Sequence, residues 1–242
     1  MTRGVFVTGT DTGVGKTLVA CALAAWCRRH GLDAGVMKPI ATGGVRRAGR
    51  YVSEDALRLA RAAASRDPWP LINPVCYREP LAPWTASRRS GRPIRFEPIL
   101  AAAKQLRARH EVLIVEGVGG WLVPLTARRT VGDLAGRLQL PVVLVARAGL
   151  GTLNHTLLSL EAIRRSGLSV LGVILNHAQR PRSSMARLAA STNVGLLRRL
   201  TSVPVVGPLA YRPASSRFRQ LSGWLEQGTG RRFLERCVRS KS

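Results

Sequence analysis

The stretch Gly4-Val-Phe-Val-Thr-Gly-Thr-Asp-Thr-Gly-Val-Gly-Lys-Thr17 limits what this chain can fold into more than any other segment. Val5, Phe6 and Val7 are the β-branched and aromatic residues of a buried strand. The glycines after them let the backbone curl so that its N–H groups face a phosphate, and Leu18-Val-Ala-Cys-Ala-Leu-Ala-Ala-Trp26 continues as an apolar helix. Strand, loop and helix arrive in the order a phosphate-binding loop requires. In such a loop Lys16 meets the β- and γ-phosphates and Thr17 ligates Mg²⁺. The loop is a variant form, because the first glycine of G-x-x-x-x-G-K-[ST] falls on Thr10, with Gly9 one place early.

A length of 242 residues with 45% hydrophobic content suits one α/β domain with one substantial core. We expect that domain to run over residues 1–227, with a basic C-terminal tail at 228–242. No apolar stretch of membrane-spanning length and no signal-peptide pattern precedes the first strand, so a cytoplasmic location is expected. Cys21, Cys27, Cys76 and Cys237 show neither C-x-x-C pairing nor metal-ligand spacing and read as free thiols. The formal charge of +25 would ordinarily point to nucleic acid, but only four of the 38 basic residues are lysines and the arginines are scattered singly and in pairs. That pattern reads as a coding bias, and no specific nucleic-acid module accompanies it. Against such a background Lys16 and Lys38 stand out, each beside glycine or proline at a strand end.

Beyond the loop helix, strands alternate with helices. Asp33–Met37 reads as a strand ending at Lys38-Pro39, followed by a flexible glycine-rich run over Ala41–Gly49. Ser53-Glu54-Asp55 opens a helix with acidic residues in its first turn. The proline-rich stretch Asp67–Pro93 lacks periodicity and reads as a long surface excursion over one end of the sheet. Then come a helix at Phe96–His110, a strand at Glu111–Glu116, a helix at Val131–Leu138 and a strand at Pro141–Ala146. A helix at Asn154–Ser166, a strand at Ser169–Leu175, a helix at Met185–Leu200 and a strand at Val203–Gly207 complete the pattern. The fold class is therefore α/β, P-loop NTPase-like, with a mostly parallel sheet covered by helices on both faces. Ligands of such folds bind beyond the carboxyl ends of the strands, which collects Lys16, Thr17, Lys38, Thr42, Glu116, Gly151, Asn154 and Asn176 at one end. Glu116 closes its strand before a glycine-rich turn, where P-loop enzymes place a Mg²⁺-holding carboxylate.

Several separated motifs resemble those of the dethiobiotin synthase family in order and over most of the chain. Beside the loop they are Lys38-Pro-Ile-Ala-Thr-Gly43, Asp55, Asn73-Pro74, Glu79-Pro80 with Pro83, and Gly91-Arg-Pro-Ile94. Val115-Glu-Gly-Val-Gly-Gly-Trp121, Leu150-Gly-Thr-Leu-Asn-His155 and Val173-Ile-Leu-Asn176 follow. The resemblance implies an ATP-dependent cyclo-ligase that joins CO₂ to 7,8-diaminononanoate in biotin biosynthesis, by way of a carbamate and a carbamic-phosphoric anhydride. It implies Mg²⁺ held by Thr17, Asp55 and Glu116, and a catalytic set of Lys38, Lys16 and Thr12. It implies ATP contacts at Gly13, Val14, Gly15, Lys16, Thr17, Leu18, Asp55, Glu116, Gly117, Val118 and Gly119, with Asn176 on adenine. Thr42 is implied to contact the diamine. Gly151 and Asn154 are implied to reach the substrate carboxylate across a homodimer interface.

Negative charge builds on carbamate and phosphoryl oxygens together in this reaction, so fixed cations supply most of the catalytic help and no side-chain nucleophile is needed. His155 accordingly reads as a structural or interface residue. The sequence departs from the family at Gly207-Pro-Leu-Ala-Tyr211, where Gly-x-Ile-Pro is familiar, and Arg147 has no role in this reading. The rival is a regulatory or partition-type ATPase that binds DNA or a protein partner. Asp11 weighs against it, standing where those ATPases carry a second lysine.

Overall fold

The structure, a computed structural model, describes residues 3–211 together with Leu221, Gly223, Leu225, Glu226 and Glu235. The expected domain boundary at 227, the tail at 228–242 except Glu235, and Cys237 lie outside the described residues. The central strand β1 (Arg3–Gly9) enters the phosphate loop and then α1 (Lys16–Arg29). Five further strands run parallel to it: β2 (Ala34–Met37), β7 (Val112–Gly120), β8 (Val142–Arg147), β9 (Val170–Asn176) and β10 (Val205–Leu209). Their order is β10-β9-β8-β1-β7-β2. The chain thus runs outward from β1 through β8, β9 and β10 on one side, while on the other β7 returns between β1 and the edge strand β2. The phosphate loop sits at the carboxyl end of β1, near where the winding changes direction.

Strand residues alternate between two cores, as strands buried on both faces must. Val5, Val7, Ile114, Val143 and Ile174 face α1 and α2 (Glu54–Ala63), whereas Phe6, Leu113, Val115, Leu144 and Leu175 face the other side. That second face is covered by α5 (Phe96–Arg109), α6 (Val131–Leu138), α7 (Thr152–Arg165) and α8 (Ser184–Leu200). Helices therefore cover both faces, as the alternating pattern predicts. Among the described residues no helix is long and apolar enough to cross a membrane, and Cys21, Cys27 and Cys76 are free thiols.

Three segments differ from the sequence reading. The run after Lys38 is ordered into β3 (Ile40–Ala41) and an antiparallel hairpin, β4 (Val45–Arg47) with β5 (Arg50–Val52), turning at Gly49 with φ +79°. The proline-rich excursion holds α3 (Trp69–Ile72), β6 (Val75–Cys76) and α4 (Pro83–Arg89), and β6 pairs in parallel with β3. These pieces are too short to carry a period, and prolines in the first turns of α3 and α4 start helices rather than break them. Glu116 does not end its strand either. β7 continues to Gly120 past an irregularity against β1, and the glycines permit this: a Cβ at Gly117 would lie 3.1 Å from the Phe6 ring, and Gly119 has φ +60°.

Candidate active site

A cavity of about 970 Å³ opens beyond the carboxyl ends of β1, β2, β7 and β9. It is lined by Thr12, Gly13, Gly15, Lys16, Thr17 and Leu18 from the loop and α1. Lys38, Thr42 and Asp55, then Glu116, Val118, Gly119 and Asn176, complete the expected set along its wall. The loop needs its glycines: Gly13 and Gly15 have φ of +74° and +106°, and a Cβ on Gly15 would come within 2.4 Å of Asn176 Nδ2. Val14 turns its side chain into the core beneath the loop, and Gly117 meets the site through its carbonyl.

Three charged groups meet at the centre. Lys38, 3% exposed, donates from Nζ to Glu116 Oε1 at 2.5 Å and to the Gly117 carbonyl at 3.1 Å, and pairs with Asp55 Oδ2 at 3.3 Å. The Thr17 hydroxyl donates to the same Glu116 Oε1 at 2.8 Å. Glu116 is fully buried, and its Oε2 has no partner. Asp55 reaches this corner because Ser53 caps α2, its hydroxyl accepting from Ala56 N, which fixes the first helical turn.

Electrostatics bind the group together. Burial alone would push the Lys38 ammonium down, but the charges of Glu116 and then Asp55 outweigh it and hold its pKa above the ordinary lysine value. Burial likewise works to raise the Asp55 carboxyl, and Lys38 overrides it to leave the pKa lowered. Lys16 is in the opposite position. Burial, and then the nearby Lys38 charge, lower it to about 8, and its Nζ donates to the Asp11 carbonyl at 2.8 Å. The cavity therefore holds two lysines whose mutual repulsion an anion between them would relieve.

Asn176, at the end of β9, donates from Nδ2 to the Val14 carbonyl at 2.8 Å while its Oδ1 is buried without a partner. The amide braces the loop from below and leaves one acceptor uncommitted. Gly151 and Asn154 do not line this cavity. Gly151 caps α7 in the left-handed region, and it and Asn154 are exposed beside Leu150, which is 91% exposed. His155 is exposed on the same turn.

Some lining residues escaped the sequence reading. Cys21 lies one turn after Thr17 on α1, and Arg58 one turn after Asp55 on α2, so helical spacing from the motif residues was the available signal. Leu81, Ala82 and Ala178 carried no such signal. Arg147 gains a contact: its guanidinium pairs with Asp11 Oδ2 at 3.0 Å, while Asp11 Oδ1 accepts from Thr12 N at 2.7 Å. The segment Gly207–Leu209 continues β10, and the Leu209 carbonyl accepts from His177 N. Among the described residues no cluster of three or more His, Cys, Asp or Glu could hold a metal on its own.

A family model described as an AAA domain matches residues 3–219. The chain is 53% identical over 174 residues to the ATP-dependent dethiobiotin synthetase BioD of Anaeromyxobacter dehalogenans strain 2CP-C, covering 72% of this chain and 76% of that protein. It is 41% identical to the protein of the same name from Xanthomonas oryzae pv. oryzae strain PXO99A, covering 90% of this chain and 95% of the relative. Among solved structures, apo McdA from Cyanthece superposes with a TM-score of 0.56 at 12% identity, covering 99% of this chain and all of that one. That last likeness concerns the fold alone.

Proposed function

We infer the working of this cavity from one premise: the chain belongs to the ATP-dependent dethiobiotin synthetase family. It is an ATP-dependent cyclo-ligase that forms dethiobiotin in biotin biosynthesis. The observation that carries our assignment of roles is the buried Lys38 ammonium, held between Glu116 and Asp55 in the same cavity as the phosphate loop.

The substrates on this reading are ATP, CO₂ and 7,8-diaminononanoate. One amine of the diamine adds to CO₂ and loses a proton, giving a carbamate. A carbamate oxygen attacks the γ-phosphoryl group, the bond to the β-phosphate oxygen breaks, and ADP leaves a carbamic-phosphoric anhydride. The second amine then attacks the carbonyl carbon, expelling phosphate and closing the cyclic urea. Lys16 gives up the Asp11 carbonyl to hold β/γ-phosphate oxygens, with Thr12 and the loop N–H groups from Gly13 to Leu18 around them. Lys38, kept protonated by its carboxylate neighbours, faces the carbamate and the transferring phosphoryl oxygens, where charge develops. The Thr42 hydroxyl orients the diamine. Asn176, its Nδ2 spent on the loop, offers Oδ1 to the adenine amino group.

The donors at this corner fit Mg²⁺. Glu116 Oε2 is a buried carboxylate oxygen without a partner, and Thr17 and Asp55 add hard oxygens beside it. Two carboxylates and a hydroxyl suit an ion that keeps several waters and binds through substrate phosphates. Bound there, Mg²⁺ would neutralise charge on the β- and γ-oxygens.

The working unit on this reading is a homodimer in the cytoplasm. Gly151 and Asn154 are exposed and do not line their own cavity, and exposed Leu150, Leu158 and Leu122 offer apolar contact area. They would take the substrate carboxylate of the neighbouring protomer. A coupled assay of ADP release tests the reading. ADP should appear only when the diamine and bicarbonate are both present, and equal release without either one would overturn it.

A further inference from the structure

Lys38 sits at an awkward place in the chain. It follows the last residue of β2, the edge strand of the sheet, and precedes Pro39, which has no N–H with which to continue a ladder. Nothing in β2 itself would hold the lysine backbone still. The proline-rich segment does so instead. Lys38 N donates to the Ile72 carbonyl at 2.7 Å, and the Asn73 side chain, 4% exposed, donates from Nδ2 to the Lys38 carbonyl at 2.7 Å and to the Val75 carbonyl at 3.2 Å. Val75 N returns a bond to the Pro39 carbonyl at 3.2 Å, and β3 and β6 zip on from there, Ile40 beside Val75 and Ala41 beside Cys76. The stitching continues through Tyr77 N to the Ala41 carbonyl and Gly43 N to the Glu79 carbonyl, so it spans the backbone that carries both Lys38 and Thr42.

We propose that Asn73 is a positioning residue for the carboxylation reaction: its amide closes the gap left by Pro39 and fixes the Lys38 backbone, and through it the ammonium, at the reacting oxygens. The inference rests on the catalytic reading of Lys38. Asn suits the task because one Nδ2 group carries two hydrogens and can serve two carbonyls at once. Alanine would take the donor from the Lys38 carbonyl, while the Val75 carbonyl keeps its place in the β3–β6 ladder, and so free the Lys38 backbone to shift. Displacement of a charge-stabilising group by about 1 Å can lower a rate by about a hundredfold.

The test is a double-mutant cycle on the full chain with ATP, Mg²⁺, diamine and bicarbonate saturating. Asn73→Ala should lower kcat at least about tenfold while the Kd for ATP, measured separately, stays within about twofold of wild type. Lys38→Gln should lower kcat about a hundredfold or more, and adding Asn73→Ala to it should cost no more than about a further twofold. Asn73→Ser, which keeps a smaller polar group, carries the same cycle if the alanine variant does not fold, with a smaller fall in kcat. An unchanged kcat, or a fall that multiplies with that of Lys38→Gln, would overturn the role of Asn73. A Lys38→Gln enzyme with normal turnover would overturn the reading of Lys38 itself, and the inference with it.

Discussion

Glu116→Gln tests the electrostatic centre of the site through stability as well as catalysis. In the folded protein the Lys38 ammonium is almost wholly buried, and Glu116 is its nearest counter-charge, at 2.5 Å. Asp55, at 3.3 Å and with a side chain 45% exposed, is the second. Neutralising Glu116 leaves a buried cation with only the half-exposed partner, and breaking a buried pair on one side costs about 3–5 kcal/mol. At about 2–4 °C per kcal/mol for a domain of this size, the melting temperature should fall by about 10 °C.

The sign of the pH dependence follows from Lys38. Its folded pKa is raised, so its contribution is fully present below the ordinary value of 10.5 and is lost as pH rises through the folded value. The stability that the Lys38–Glu116 pair gives the wild type should therefore hold steady from pH 7 to about pH 10 and fall only above that. Lys38→Met combined with Glu116→Gln removes both charges and should recover most of the lost stability. Thermal melts followed by circular dichroism read all three. A single variant melting within about 2 °C of wild type, or a double variant less stable than Glu116→Gln alone, would refute the reasoning.

Asn176→Ala should weaken ATP binding at least about tenfold, because the Val14 carbonyl loses its donor and the base loses its acceptor; titration calorimetry would read it. The same committed amide predicts that GTP, whose base presents a carbonyl at the matching position, competes about tenfold less well than ATP in equilibrium binding. Thr130→Ala breaks the capping box in which Thr130 and Asp133 exchange hydrogen bonds, and should cost about 1 kcal/mol of unfolding free energy in urea. The Thr130 backbone bond, with its hydroxyl, holds the Asp133 carboxyl below its usual 3.8, so that stabilisation is present above pH 3.8 and lost as pH falls through the folded value. Thr130→Ala removes only the hydroxyl's share and keeps the backbone bond, so its difference from wild type should shrink only slightly in acid. Leu150→Arg, at an exposed apolar position, should convert the proposed dimer to a monomer in light scattering and lower turnover while sparing ATP binding. A monomeric wild type, or a variant that stays dimeric and active, would remove that interface.

What could be read from the sequence was whatever one residue type at one spacing forces. Gly13, Gly15, Lys16 and Thr17 announce the loop because only that combination turns a buried strand into a phosphate cradle. Lys38 stood out against the arginines, whereas Asp55 was marked only by the family resemblance, at a helix start opened by Ser53; in the folded chain Lys38 meets both Asp55 and Glu116. Contacts between segments distant in sequence left no such mark. Asn73, marked only as part of the Asn73-Pro74 motif, reaches Lys38 across 35 positions and Arg147 reaches Asp11 across 136, and neither contact has a local pattern. The extension of β7 beyond Glu116 was hidden because Gly117-Val-Gly-Gly120 has turn composition, while its strand geometry depends on the Phe6 ring lying against Gly117. Helices α3 and α4 were hidden because a helix of four or seven residues completes too few turns to show a period.

The most direct measurement supplies [¹³C]bicarbonate with ATP, Mg²⁺ and 7,8-diaminononanoate and follows the label by carbon NMR and mass spectrometry while ADP is counted. We expect one labelled carbon in the ureido carbonyl of dethiobiotin for each ADP released. ADP formed without labelled product, or labelled product formed without ADP, would contradict the account.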